Sequence, residues 1–187
     1  MHVCSDDART EKPAQPPGHC GQASGWKVRA AMSVLYAVSD THGDVQNYTR
    51  LLELTKDADM YAHLGDYVRD GGKLQEFSRR QTFIIKGNGD FSGGQIEATV
   101  NLGGVKILLT HGHKYGVKSR LDALMYRALE LDCGAAVYGH THLPDITCQN
   151  GVYLICPGTL SGAGTRMCTY ACIRWENGRL QPVIHRI

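Results

Sequence analysis

Four things are missing from this 187-residue chain. No apolar stretch has the length of a membrane span, and no long run of lysine or arginine occurs. There is no Cys-x-x-Cys pair, and the first thirty residues lack the apolar segment of a secretory signal. The first absence excludes a helical membrane protein. The second, with a formal net charge of only +2, removes charge as support for a stable nucleic-acid partner. The last two, with an odd total of seven cysteines, point to a reducing cytoplasm and free thiols. Cys168 and Cys172 lie four apart in a segment that reads as a strand. Small buried apolar groups are a better reading of that pair than a second metal site.

What is present reads as one α/β domain. The tail, residues 1–31, contains a polar stretch with three of the chain's six prolines and no helical or strand period, so disorder is expected there. Met32 directly precedes a clean strand at 33–38 and reads as an alternative start, which would make the tail an extension to a domain at 32–187. The pattern then predicts a helix near 45–56, a strand at 60–64, a weak helix near 72–80 and a strand at 82–86. That alternation implies parallel strands with right-handed crossovers. The second half is richer in hairpins. Strands at 96–102 and 105–110 flank Gly103-Gly104. A helix follows near 119–131, with Ser119 and Asp122 resembling a capping box. Short strands at 135–138, 146–149, 152–156, 167–175 and 180–187 come next, with Asn150-Gly151 and Asn177-Gly178 as turns. Two mixed sheets packed together with helices outside accommodate both halves.

The chemistry gathers where apolar runs end: Asp40-Thr41-His42, Gly65-Asp66, Gly87-Asn88, Thr110-His111-Gly112-His113 and Gly139-His140-Thr141-His142. Asp40, His42, Asp66, Asn88, His111, His140 and His142 all suit a hard or borderline divalent metal. One mononuclear site needs about four protein ligands, so seven suggest two ions sharing one ligand, a phosphate-ester hydrolysing arrangement. Asp66 is the candidate shared ligand, because a carboxylate has two oxygens. The spacing of Asp40 and His42, and of each His-x-His pair, places both members on one side of an extended chain. Asp44 reads as a helix cap and His63 as a packed or surface histidine. Asp70 could support the site from close by, but a plain loop residue is the preferred reading.

As an ordered set these motifs, with Gly87-Asn88-Gly89-Asp90 and Cys156-Pro157-Gly158-Thr159, resemble the calcineurin-like metallophosphoesterase superfamily over about residues 33–187. The chain's size is similar to that of its small stand-alone bacterial and archaeal phosphodiesterases. The resemblance implies a four-layer α/β/β/α sandwich. It also implies one metal on Asp40, His42, Asp66 and His142, and another on Asp66, Asn88, His111 and His140. The cofactor would be two divalent metal ions, Mn²⁺ foremost, with Fe, Zn or Ni as other occupants. A hydroxide bridging two ions about 3.5–4 Å apart would attack a phosphoester in line. Two divalent ions, two carboxylates and one hydroxide leave a single positive charge, which suits a small diester.

The chain departs from many relatives at Gly89, where they carry the histidine proposed to protonate the leaving group. His113, or metal-bound water, is the substitute expected here. His113 and Asp90 are therefore the candidate catalytic residues, and Asn88 and His113 the candidate substrate contacts. Specificity is expected from the loops at 67–73, 91–95 and 160–166. An exposed sheet edge could pair two copies into a homodimer. The rival reading is a protein-interaction scaffold, because one relative of this fold, a retromer subunit, works as a platform with a degraded metal site.

Overall fold

The computed structural model describes residues 33–187, and the expectations for the tail and for Met32 lie outside them. Strand β1 (Ser33–Val38) is apolar after its first residue and buried from Val34 onward. Its alternate side chains serve two cores, as a strand covered on both faces requires. Leu35 and Ala37 enter one cluster, whereas Val34, Tyr36 and Val38 enter another.

Two five-stranded sheets are built on this logic. In the first, β1 pairs in parallel with β2 (Met60–His63), and β2 with β3 (Gln81–Ile84). On its other side β1 runs antiparallel to β9 (Thr169–Glu176), which pairs with β10 (Arg179–Arg186). In the second sheet, β5 (Val105–Thr110), β6 (Ala135–Tyr138) and β8 (Val152–Cys156) are parallel. The antiparallel strands β4 (Glu97–Leu102) and β7 (Asp145–Gln149) form its edges.

The sheets pack through Leu35, Ala62 and Leu64 from one side and Leu102, Ile107, Leu109 and Val137 from the other. Helices α1 (Asn47–Leu54) and α2 (Val68–Ser78) cover the first sheet through Tyr48, Leu51 and Leu74. Helix α3 (Asp122–Glu130) covers the second through Leu124, Met125 and Ala128. This is the four-layer α/β/β/α sandwich. No helix among the described residues is long and apolar enough to cross a membrane.

Several expectations need correction. Helix α2 begins at Val68, four residues before the expected start, and contains Gly71-Gly72. Two glycines weaken a helical pattern, but Gly71 answers to packing. A Cβ there would stand 2.9 Å from Ile84 Cγ2 and 3.1 Å from His63 Cβ. The Ser119–Asp122 capping box does not form, because the helix is preceded by Leu121, which makes no side-chain cap. Asp44 does not cap α1 directly: its Oδ1 accepts the N–H of Gln46, the residue just before the helix, at 3.0 Å. Cys168 precedes β9 rather than sharing it with the buried Cys172. The five described cysteines are free.

Candidate metal centre

The motif residues converge because the parallel strands of both sheets end on one rim, the usual place for a site in such sheets. Asp40 and His42 follow β1, Asp66 follows β2, and Asn88 follows the segment after β3. His111 follows β5, and His140 and His142 follow β6. The expected extended spacing is not the means. Asp40 has φ 53°, His42 50°, Asp66 51°, His140 71° and His142 61°. Each of these left-handed turns costs about 1–2 kcal/mol in a residue with a Cβ. Strain of this kind collects at functional sites because the surrounding structure over-determines the conformation. His113 is not extended either: Gly112 turns the chain at φ 94° into a short 3₁₀ helix, His113–Tyr115.

One potential ligand atom from each of Asp40, His42, Asp66 and His142 lies within 4.8 Å of the others. His142 Nδ1 is 3.0 Å from the carbonyl oxygen of Ala163, to which only an N–H can bond. In the neutral ring, Nε2 is therefore a bare lone pair, and it faces His42 Nε2 at 3.3 Å and Asp40 Oδ1 at 3.2 Å. Asp40 is fully buried, and its Oδ1 has no hydrogen-bond donor. Its Oδ2 accepts from Ser39 Oγ at 2.5 Å and from the His140 N–H at 3.0 Å. Burial pushes the Asp40 carboxyl above its ordinary range, against the pull of the Ser39 hydroxyl and of His111 and His142.

A second group adjoins the first through Asp66. His111 donates Nδ1–H to the carbonyl of Leu64 at 2.7 Å, which leaves Nε2 facing Asn88 Oδ1 at 3.1 Å and Asp66 Oδ1 at 3.5 Å. The His140 ring lies 5.0 Å from that of His111, between centroids. Burial, then the neighbouring His111, drives the His140 imidazole down to about 4. The close approach of these loops depends on Gly65, where a Cβ would meet both Gly87 N and His111 Nδ1 at 2.7 Å.

All seven expected ligands are thus on one rim. His113 is beside them, with ring centroids 5.4 Å from His111 and 6.2 Å from His140, and its buried Nδ1 has no partner. Burial and His111 also lower the His113 pKa. Asp90 is differently employed. Its Oδ1 takes the N–H groups of Tyr67 and Val68 at 2.9 and 2.8 Å, and its Oδ2 that of Gly87 at 2.9 Å. It clamps the Asn88 turn to the start of α2.

Asp70, read from sequence as a loop residue, lies in the first turn of α2 and is only 1% exposed. Its Oδ2 accepts from Thr41 Oγ1 at 2.8 Å and from the Gly43 N–H at 2.9 Å. Having given its proton to Asp70, the Thr41 hydroxyl accepts from His63 Nε2 at 3.1 Å. Thr159 and Ser161 donate to the Asp40 carbonyl at 2.8 and 3.0 Å, which gives the Cys156–Thr159 motif a supporting role. The only sequence signal for Asp70 is its position four residues after Asp66.

Residues 32–178 match the family described as the calcineurin-like phosphoesterase superfamily domain. The chain belongs to this superfamily. It is 32% identical over 151 residues to "Probable metallophosphoesterase YsnB" of Bacillus subtilis (strain 168), covering 78% of this chain and 86% of that protein. A crystal structure of a predicted phosphoesterase from Streptococcus pneumoniae TIGR4 matches with a TM-score of 0.72 and 27% identity, over 83% of this chain and 90% of that one. Vacuolar Protein Sorting 29 from Cryptosporidium parvum shares the fold, with a TM-score of 0.68 and 17% identity over 83% and 98% of the two chains.

The residues present fit the divalent metals used by the superfamily. Two bare imidazole nitrogens face carboxylate or amide oxygens, and Asp40 Oδ1 is buried without a donor. Each contact places electron pairs against one another, and a cation between them turns repulsion into attraction. Neutral imidazoles and ionised carboxylates are also the forms that bind metal. Among the described residues no thiol joins the ligand cluster: Cys156, in the motif that supports Asp40, is buried, and burial pushes its pKa up to about 11.

Proposed function

We propose that this superfamily member is a dinuclear-metal-dependent phosphodiesterase. The observation that carries the reading is the two linked groups of inward-facing lone pairs, with Asp66 common to both. Asp40, His42, Asp66 and His142 would hold one ion, and Asp66, Asn88, His111 and His140 the other. When bound, two divalent cations polarise the phosphoryl oxygens and lower the pKa of a water for in-line attack. An oxygen and imidazole set without thiolate suits Mn²⁺, with Fe, Zn or Ni as other occupants.

The chain's own groups supply the rest. The Ala163 and Leu64 carbonyls fix the rings of His142 and His111 with Nε2 presented inward. Asn88, exposed on its turn, would contact a phosphoryl oxygen as well as an ion. His113 would hydrogen-bond the leaving-group oxygen and pass it a proton, since Gly89 has no side-chain proton to give. Asp90 acts through position, by holding the Asn88 turn. The substrate would be a small phosphodiester met in the cytoplasm. A stable nucleic-acid partner is not expected, and self-association would use an open sheet edge.

The scaffold alternative draws on the likeness to Vacuolar Protein Sorting 29, which at 17% identity extends to fold alone. Metal analysis and Mn²⁺-dependent hydrolysis of bis(p-nitrophenyl) phosphate separate the two. About two metals per chain are expected, with hydrolysis lost in Asp66→Asn. Absence of both bound metal and hydrolysis across several metals favours the scaffold. For His113→Ala, the fall in kcat should be steeper for an alkyl leaving group than for nitrophenolate. A kcat left unchanged by the substitution for both leaving groups would remove His113 as the acid.

A further inference from the structure

A cavity of about 330 Å³ opens beside the metal centre, lined by Tyr67, Val68, Arg69, Gly89, Asp90 and Phe91. Its volume is at the small end of the range for small-molecule sites, roughly 300–1,000 Å³. Two aromatic side chains border it, and both are open to solvent: Tyr67 is 42% exposed and Phe91 fully so. A lone surface phenylalanine is ordinary, but here a phenyl, a phenol and the exposed guanidinium of Arg69 share one cavity. That combination suits the face of a planar ring, through stacking and cation–π attraction.

The cavity adjoins the candidate metal groups through two of its lining residues, Tyr67 and Gly89. The Tyr67 ring meets His42 edge-on at 5.8 Å between centroids. Gly89 N donates to Asp66 Oδ1 at 2.9 Å, and a Cβ on Gly89 would stand only 3.1 Å from that oxygen. Glycine therefore keeps side-chain bulk off Asp66 at the boundary between cavity and centre. The wall is also built to hold shape. Asp90 ties the backbone of Tyr67 and Val68 to that of Gly87 with both carboxylate oxygens, and Tyr67 is held at φ 81°.

We infer that this cavity is a subsite for a planar aromatic ring of nucleobase size, carried on one ester arm of the phosphodiester. The inference rests on the phosphoester reading and names its substrate class. Tyr67 and Phe91 stack the ring, and Arg69 addresses its face or a polar substituent.

The test is binding, so it does not depend on turnover. NMR titrations of the full chain in EDTA compare adenosine 5′-monophosphate with ribose 5-phosphate, which share sugar and phosphate and differ in the ring. The nucleotide should bind about tenfold more tightly, the scale of stacking a base on an aromatic side chain. The amides of residues 67–69 and 91–92 should shift. Phe91→Ala, at a fully exposed position that folding does not need, should remove most of the preference. Tyr67→Ala provides a second variant. No detectable nucleotide binding at millimolar concentration, a preference below about threefold, or one that survives both variants overturns the subsite. Hydrolysis of bis(p-nitrophenyl) phosphate by the Mn²⁺-loaded protein, measured in parallel, reports separately on the phosphoester reading.

Discussion

Two turns of the rim are braced in contrasting ways. The Asp40–Gly43 turn rests on Asp70, Thr41 and His63, which are all buried. The turn carrying His113 rests on Tyr115, whose hydroxyl bonds Glu97, itself held by Arg127 through Nε at 3.2 Å and Nη2 at 3.1 Å. The second brace is partly solvent-exposed. Water can replace a lost partner in the second and cannot in the first. The buried brace therefore fixes geometry tightly, at the risk of a large penalty when one member is lost or changes charge. It lies beneath the strained residues Asp40 and His42, where a loose support would let the backbone relax.

Breaking the buried brace should have the largest effect. Asp70→Ala strips the acceptor from Thr41 Oγ1 and Gly43 N, and should destabilise the metal-free protein by about 3 kcal/mol. Urea unfolding measures this. A loss under about 1 kcal/mol would mean that water reaches the site and the contrast is false.

Acid should act on the same brace. Burial lowers the His63 pKa to about 4, against about 6.5 in the unfolded chain. The folded state holds this ring neutral, so the unfolded state binds the proton first as pH falls. The stabilisation is complete above about pH 6.5 and is lost as pH falls toward 4, up to about 3 kcal/mol in all. His63→Gln, compared with wild type in urea unfolding at pH 7 and pH 5, should flatten this dependence. An unchanged slope would place the titration elsewhere.

The smallest effect is expected at the exposed brace. Arg127→Ala should leave the unfolding midpoint near wild type, with any shift shrinking as salt is added. A midpoint change approaching that of Asp70→Ala would erase the distinction between the regions.

Much of this was legible in the sequence. β1, β5, β6 and β8 occupy the expected residues, because continuous apolar runs between turn signals leave little freedom. The three two-residue turns join hairpins, with Gln149 opposite Val152 and Leu102 opposite Val105 as examples. Helix α2 was misplaced because the need for Gly71 arises from Ile84 and His63, distant in sequence. The seven candidate ligands were named from residue type and position at strand ends. For Asp70 the sequence offers a supporting role but favours a plain loop residue, because the contacts that decide it come from Thr41 and Gly43, about thirty residues earlier.

Sequence by itself determined the strand order of chemistry: which side chains end which apolar run, and so which donor atoms can reach a common rim. Continuous apolar runs that stop at these residues set that outcome locally. Only the tertiary structure decided how the donors meet. Left-handed backbone at five of them, a buried carboxylate beneath one turn and two carbonyls orienting imidazoles all depend on contacts between segments far apart in the chain. No local pattern encodes such contacts, because each residue's conformation there is imposed by partners that arrive only on folding.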